Sequence, residues 1–175
     1  MAAVDPIENT KLCKYFPALT PKQVTNLCFY STGANYQDIS SLLQTAPGTI
    51  KKSLESVQKH YSAQSLPELK TVFWACFTFH LICAKYCIDG ERFVATIHVD
   101  TIFALKPFFP ELNKHQLAGA VLYSIGHSIR DIALKSHHSC AQVEQHIIEA
   151  MAALRIDSEK LLRMCVTSRF IMDLC

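Results

Sequence analysis

Apolar residues recur every three or four positions through most of this chain, which is the spacing of amphipathic helices. From Asn35 to about Leu43 the apolar positions are Ile39, Leu42 and Leu43. A break follows at Gln44-Thr45-Ala46-Pro47-Gly48. Pro47 suits the first turn of a helix, where its missing N–H would have no partner anyway. The next segment puts Ile50, Leu54, Val57 and Tyr61 on one face and Lys51, Lys52, Gln58 and Lys59 off it. Two helices around a tight break have the form of a helix-turn-helix, in which one stripe packs down and the polar side stays free for a groove. An ordinary helical hairpin with a solvated lysine face has the same pattern.

The flanking segments predict further helices. Asp5-Pro6 is a start signal, with Ile7, Leu12 and Tyr15 as apolar contacts of a short helix to about Lys14. Phe16-Pro17 ends it, because a residue before proline avoids the helical region. A second helix is expected from Pro21 to about Ser31, burying Val24, Leu27, Cys28 and Tyr30, with Gly33 as its stop. Ser65-Leu66-Pro67-Glu68 has the form of a capping box opening one long helix to Cys87, and Asp89-Gly90 breaks it. The β-branched run Phe93 to Val99 fits a short strand and a further helix equally well.

The second half repeats the first. Phe109-Pro110 stands 93 residues after Phe16-Pro17, and at the same offset Leu112 answers Leu19 and Gln116 answers Gln23. Tyr123-Ser124, Gly126 and Asp131-Ile132 likewise answer Tyr30-Ser31, Gly33 and Asp38-Ile39. Ser158, Leu162 and Phe170 fall on Ser65, Leu69 and Phe77. With a two-residue deletion the match extends upstream, Val99-Asp100-Thr101-Ile102 answering Val4-Asp5-Pro6-Ile7. Apolar columns persist where identities do not: Val143, Ile147, Ala150 and Leu154 replace Ile50, Leu54, Val57 and Tyr61. Ungapped agreement of turn residues and core columns marks an internal repeat. The expected architecture is all-α: two tandem helix-turn-helix units of four to five helices, 1–77 and 99–175, joined by a helix extension and linker over 78–98.

The order Leu19-Thr20, Gly33, Asp38-Ile39, Gly48-Thr49-Ile50-Lys51 and Ser65 to Leu69 resembles the LuxR/GerE-type DNA-binding domain of bacterial transcription regulators. The resemblance covers about residues 19 to 77. It implies that Lys51, Lys52 and Glu55 face the major groove of double-stranded DNA, with Thr49 gripping phosphate and Gln58 and Lys59 on the same helix. It also implies pairing of two copies through the long helix after Ser65; packing of the two repeats on each other would replace it. Carried to the second copy, the groove-facing positions become Glu144, Gln145 and Ile148. A carboxylate and an isoleucine suit a phosphate-rich groove poorly, so the second copy reads as a scaffold that has lost its DNA face. Its helix start Ser128-Ile129-Arg130-Asp131 is a capping box that the first copy lacks in that form, and Ser139 stands at a cap where the first copy has Ala46. Ile148, Met151 and Ala152 form a second apolar patch expected to meet another chain or the first copy.

Composition changes this picture little. Half of the 175 residues are apolar, 18% are charged, and the net charge is +2. That is core-forming material whose mild charge neither demands nor forbids nucleic acid. The start of the chain has no basic and apolar leader pattern, so the eight cysteines are expected to be reduced thiols in a bacterial cytoplasm, a secreted effector being the other option. The run Val72 to Cys83 is too short to span a bilayer. Cys76, His80, Cys83 and Cys87 lie along one stripe of one helix, where four ligands cannot close a tetrahedron, so the stripe reads as core. His137-His138, near Cys140, reads as a solvated turn, and no metal or cofactor is expected. With no Gly-x-Ser-x-Gly, phosphate loop or His-Glu-x-x-His, an enzyme is not expected. The expected function is a DNA-binding transcription regulator. The competing one is a protein-interaction module derived from the same fold, an adaptor or a secreted bacterial effector.

Overall fold

Eleven α-helices and one 3₁₀ turn make up the computed structural model, which describes residues 6–97 and 99–175. They are α1 (Pro6–Tyr15), α2 (Pro21–Ser31), α3 (Tyr36–Leu43), α4 (Pro47–His60), α5 (Leu66–Lys85), α6 (Gly90–Thr96), α7 (Val99–Leu105), the 3₁₀ turn (Lys106–Phe108), α8 (Lys114–Ser124), α9 (Ile129–Ser136), α10 (Cys140–Ala153) and α11 (Glu159–Leu174). The expected Asp5 cap, and with it the Val4-Asp5 end of the upstream repeat, lies outside the described residues. The fold is all-α, and no strand occurs among the described residues. The chain divides into two compact units, 1–74 and 75–175.

In the first unit the local signals set the helix ends. The Thr20 hydroxyl accepts from Gln23 N at 3.3 Å while Gln23 Oε1 accepts from Thr20 N at 2.9 Å, a reciprocal box opening α2. Asn35 and Asp38 do the same for α3: Asn35 Oδ1 accepts from Asp38 N at 3.0 Å and Asp38 Oδ2 from Asn35 N at 2.8 Å. The scaffold-helix box expected of the second copy is thus present in both, built here on asparagine. At the head of α5 the expected cap is present, Ser65 Oγ accepting from Glu68 N at 3.4 Å, and the Glu68 carboxylate also accepts from Gln64 N at 2.7 Å. Gly33 takes φ +114°, a left-handed conformation that stops α2.

The core of this unit is Phe16, Val24, Leu27, Ile39, Ile50, Leu54, Val57, Leu69 and Phe73, with Phe16 stacked on Phe73 at 5.3 Å. Each such side chain contributes about 1.5–3 kcal/mol on burial, against about 0–1 for an exposed ion pair. Apolar packing therefore fixes α4, and its surface lysines are spare. Three positions differ from expectation. Cys28 and Tyr30 are only half-buried, and the inward place on α2 belongs to Asn26, whose amide donates to Ser53 Oγ at 3.0 Å.

The second unit reproduces this frame. α8, α9 and α10 each begin and end 93 residues after α2, α3 and α4, and α11 opens 93 after α5. The left-handed residues repeat too: Gly126 after Gly33, His137 after Gln44, Arg155 after Ser62. Boxes on Asn113–Gln116, Ser128–Asp131 and Ser139–Gln142 open the three helices, whereas Ala46 offers α4 no side-chain cap. Ahead of the repeat, Phe93 to Thr96 is helical, not a strand. Asp89 caps Arg92 N at 2.9 Å, and Phe93 packs on Phe79 at 5.8 Å, one inward residue per turn instead of the alternation a strand needs. The segment expected as an extension and linker falls, over its described residues 78–97, within this unit. Cys76 and Cys83 are buried, and burial pushes both thiols up to about 12. Arg163, 1% exposed, donates to Tyr123 O at 2.9 Å with its guanidinium 4.3 Å from the Tyr123 ring. No helix among the described residues is long and apolar enough to cross a membrane.

Candidate functional site

α4 buries Ile50, Leu54 and Val57 and turns Thr49, Lys51, Lys52, Ser56, Lys59 and His60 to the outside. Its fourteen residues hold three lysines and one glutamate. Lys51 Nζ lies 3.9 Å from Glu55 Oε1, a helix-surface pair that leaves both groups exposed and exchangeable. Gln58 is engaged elsewhere: its amide donates to Ala63 O at 3.1 Å, fastening the turn after α4. Of the residues expected to face DNA, Thr49, Lys51, Lys52 and Lys59 are exposed, Glu55 is half-exposed and Gln58 is turned to the backbone.

The matching face of α10 differs in charge and polarity. α10 has Glu144 and Glu149 and no lysine or arginine. Ile148 is 54% exposed, Ala152 is exposed and Met151 is half-exposed, and Leu134 on α9 is 70% exposed. The patch expected there is open on the chain.

Between α8 and α10 lies a feature that spacing alone did not reveal. A cavity of about 210 Å³ is lined by His115, His138 and His146, with Gly119, Ile132 and Lys135 around them. Ring centroids are 4.9 Å apart for His115–His138, 5.2 Å for His115–His146 and 5.4 Å for His138–His146. One ring nitrogen from each lies within 4.8 Å of the other two. His115 sits in the first turn of α8 and His146 in the middle of α10. His138 occupies the bend between the left-handed His137, which ends α9, and Ser139, which caps α10. That geometry turns His138 inward, half-buried, where the sequence suggested a solvated turn.

The surroundings hold the rings in place. His146 Nδ1 is buried with no hydrogen-bond partner, and Glu149 Oε2 stands 3.8 Å from it. Glu149 is itself held by the Gln145 amide at 3.0 Å and the Gln116 amide at 3.3 Å. Burial first, then the charges of His138, Lys114 and His146, lowers the pKa of His115. The three histidines lie 23 and 8 residues apart in sequence, which matches no ligand motif. Only the offset of 93, which places them on α8, the bend and α10, would have grouped them. No protein-family model, no curated protein and no solved structure matches this chain.

Proposed function

We propose that the first unit is a LuxR/GerE-like helix-turn-helix that binds double-stranded DNA, with α4 as the helix that enters the major groove. The supporting observation is the exposed face of α4, where Thr49, Lys51, Lys52 and Lys59 stand opposite the buried Ile50, Leu54 and Val57. Lysines so placed reach phosphates or guanine edges, and Thr49 in the first turn adds a hydroxyl where helix N–H groups also favour phosphate. The Lys51–Glu55 pair opens at little cost, since exposed pairs are worth about 0–1 kcal/mol. Glu55 then accepts from a cytosine amino group or turns to solvent. The protein would act as a transcription regulator in the bacterial cytoplasm. Pairing of two copies through α5 needs a different surface from its apolar stripe, because Leu69, Val72, Phe73, Cys76, Phe79, Ile82 and Cys83 are buried within the chain.

Exposed Leu134 and Ile148 favour a second reading, a protein-interaction module with no DNA contact. A salt-titrated binding assay on random duplex, followed by selection from a randomised pool, separates the two. The DNA reading expects affinity to fall with salt at a log–log slope of about −0.9 per phosphate neutralised. It also expects the double variant Lys51→Glu/Lys52→Glu to lose specific binding. Equal binding by that variant and the parent excludes α4 as the DNA face.

A further inference from the structure

We propose that His115, His138 and His146 form a binding site for one divalent transition-metal ion of the zinc class. It would clip α8, the α9–α10 bend and α10 of the second unit together. The proposal is independent of DNA binding by the first unit.

Three imidazoles suit zinc, copper, nickel and iron, and exclude calcium and magnesium, which take oxygen ligands. Tetrahedral zinc holds nitrogens at about 2.0–2.1 Å, hence roughly 3.4 Å from each other. The three nitrogens lie within 4.8 Å of one another, so small side-chain rotations close the triangle without backbone movement. Three different backbone segments supply them, which lets the ligands converge on one point, as a stripe along one helix cannot.

Outer contacts support the same site. A ligating histidine usually gives its second ring N–H to a carboxylate or carbonyl. Glu149, steadied by Gln116 and Gln145, is the only one of the two α10 carboxylates placed beside a site imidazole, 3.8 Å from the unpartnered His146 Nδ1. In that arrangement His146 would bind through Nε2. Gly119, which stands where the first unit has Asn26, lines the same cavity, and a Cβ there would meet Ile147 Cγ1 at 3.6 Å.

Three protein ligands leave a fourth position facing the cavity, as in zinc sites that hold water or a small anion. Lys114 and Lys135 line the same cavity, and Lys135 Nζ lies 3.2 Å from His127 Nδ1. Their charges oppose a bare dication and favour an anion, such as hydroxide or a carboxylate, as the fourth ligand.

The test uses the full chain, stripped with a chelator and titrated with cobalt(II), read by its visible absorption, and with zinc(II), read by calorimetry. One equivalent should bind, and the thermal midpoint should rise with it. His115→Ala, His138→Ala and His146→Ala should each weaken binding by about 100-fold or more, and Glu149→Gln by about 10- to 100-fold. His137→Ala, next door but outside the triangle, should bind like the parent. His146→Gln, of similar size, repeats the test if the alanine variant folds poorly. Binding below one equivalent, or binding that survives each of the three substitutions, overturns the site.

Discussion

The two units of this chain share a frame and differ in what the frame presents. Tyr30 and Tyr123 occupy the same place, each with a cation over its ring: Lys70 Nζ at 4.5 Å in the first unit, the Arg163 guanidinium at 4.3 Å in the second. The amide of Gln23 reaches Ser56 at 3.4 Å, and that of Gln116 reaches Glu149 at 3.3 Å. Against this constancy, the hydrogen-bonded pair Asn26–Ser53 gives way to Gly119 and His146, and Lys51, Lys52 and Lys59 of α4 give way to Glu144, Gln145 and Ala152 of α10. Caps, left-handed turn residues and apolar columns are what the backbone requires. Everything between them is free to change, and that is where the two units have separated.

The largest test of the shared frame is the cation over tyrosine. Arg163→Ala removes a buried side chain and strips Tyr123 O of a donor, for an expected loss of about 3 kcal/mol in urea denaturation. Lys70→Ala, at a half-buried position, should cost about 0.5–1 kcal/mol, the value of an exposed cation–π contact. Equal losses would mean that the two contacts are alike in environment as well as in place. Next come the caps. Ser139→Ala should destabilise by about 1 kcal/mol, and Ala46→Ser should gain a similar or smaller amount, since only α10 now has a capping side chain at that position. No gain at Ala46 would show that the first unit's turn holds a different geometry from the second's.

The smallest effect is electrostatic. Glu111 and Arg169 form a two-pronged pair at 2.8 Å, and the equivalent first-unit positions hold Ala18 and Cys76. The pair holds the Glu111 carboxyl at about 2, below its ordinary 4.5, chiefly through the hydrogen bonds from Arg169. Because the folded value is depressed, the contribution is complete above about pH 4.5 and disappears as pH falls through about 2. Screening at this exposed site limits it to about 0.5–1 kcal/mol. Glu111→Gln should lower stability by that amount at pH 7 and by almost nothing near pH 2. A pH-independent loss would assign the effect to packing instead.

Much of this was legible in the residues. Pro21, Gly33 and Pro47 punctuate the first unit, and the bounds of α2, α3 and α4 follow from them. The lysine face of α4 was readable because helical period alone separates it from Ile50, Leu54 and Val57. Phe93 to Val99 was not, since a short apolar run has no period to arbitrate; the contact of Phe93 with Phe79, fourteen residues earlier, decides it for Phe93 to Thr96, and His98 lies outside the described residues. Asn26 and Arg163 look like surface residues until Ser53 and the Tyr123 carbonyl, 27 and 40 residues away, are brought to them. The histidine triangle was hidden for the same reason, and for one more. Its ligands come from α8, a bend and α10, and only the bend announced itself, as the His137-His138 pair.

α4 and α10 share a frame, and we propose that only α4 faces DNA. The direct measurement is duplex binding by the full chain across a salt series, comparing the parent with Lys51→Glu/Lys52→Glu and with Glu144→Gln/Ile148→Asp. The first double variant should lose specific binding and flatten the salt slope by about two phosphate contacts, while the second should bind like the parent. Binding lost only in the α10 variant, or kept in both, would contradict it.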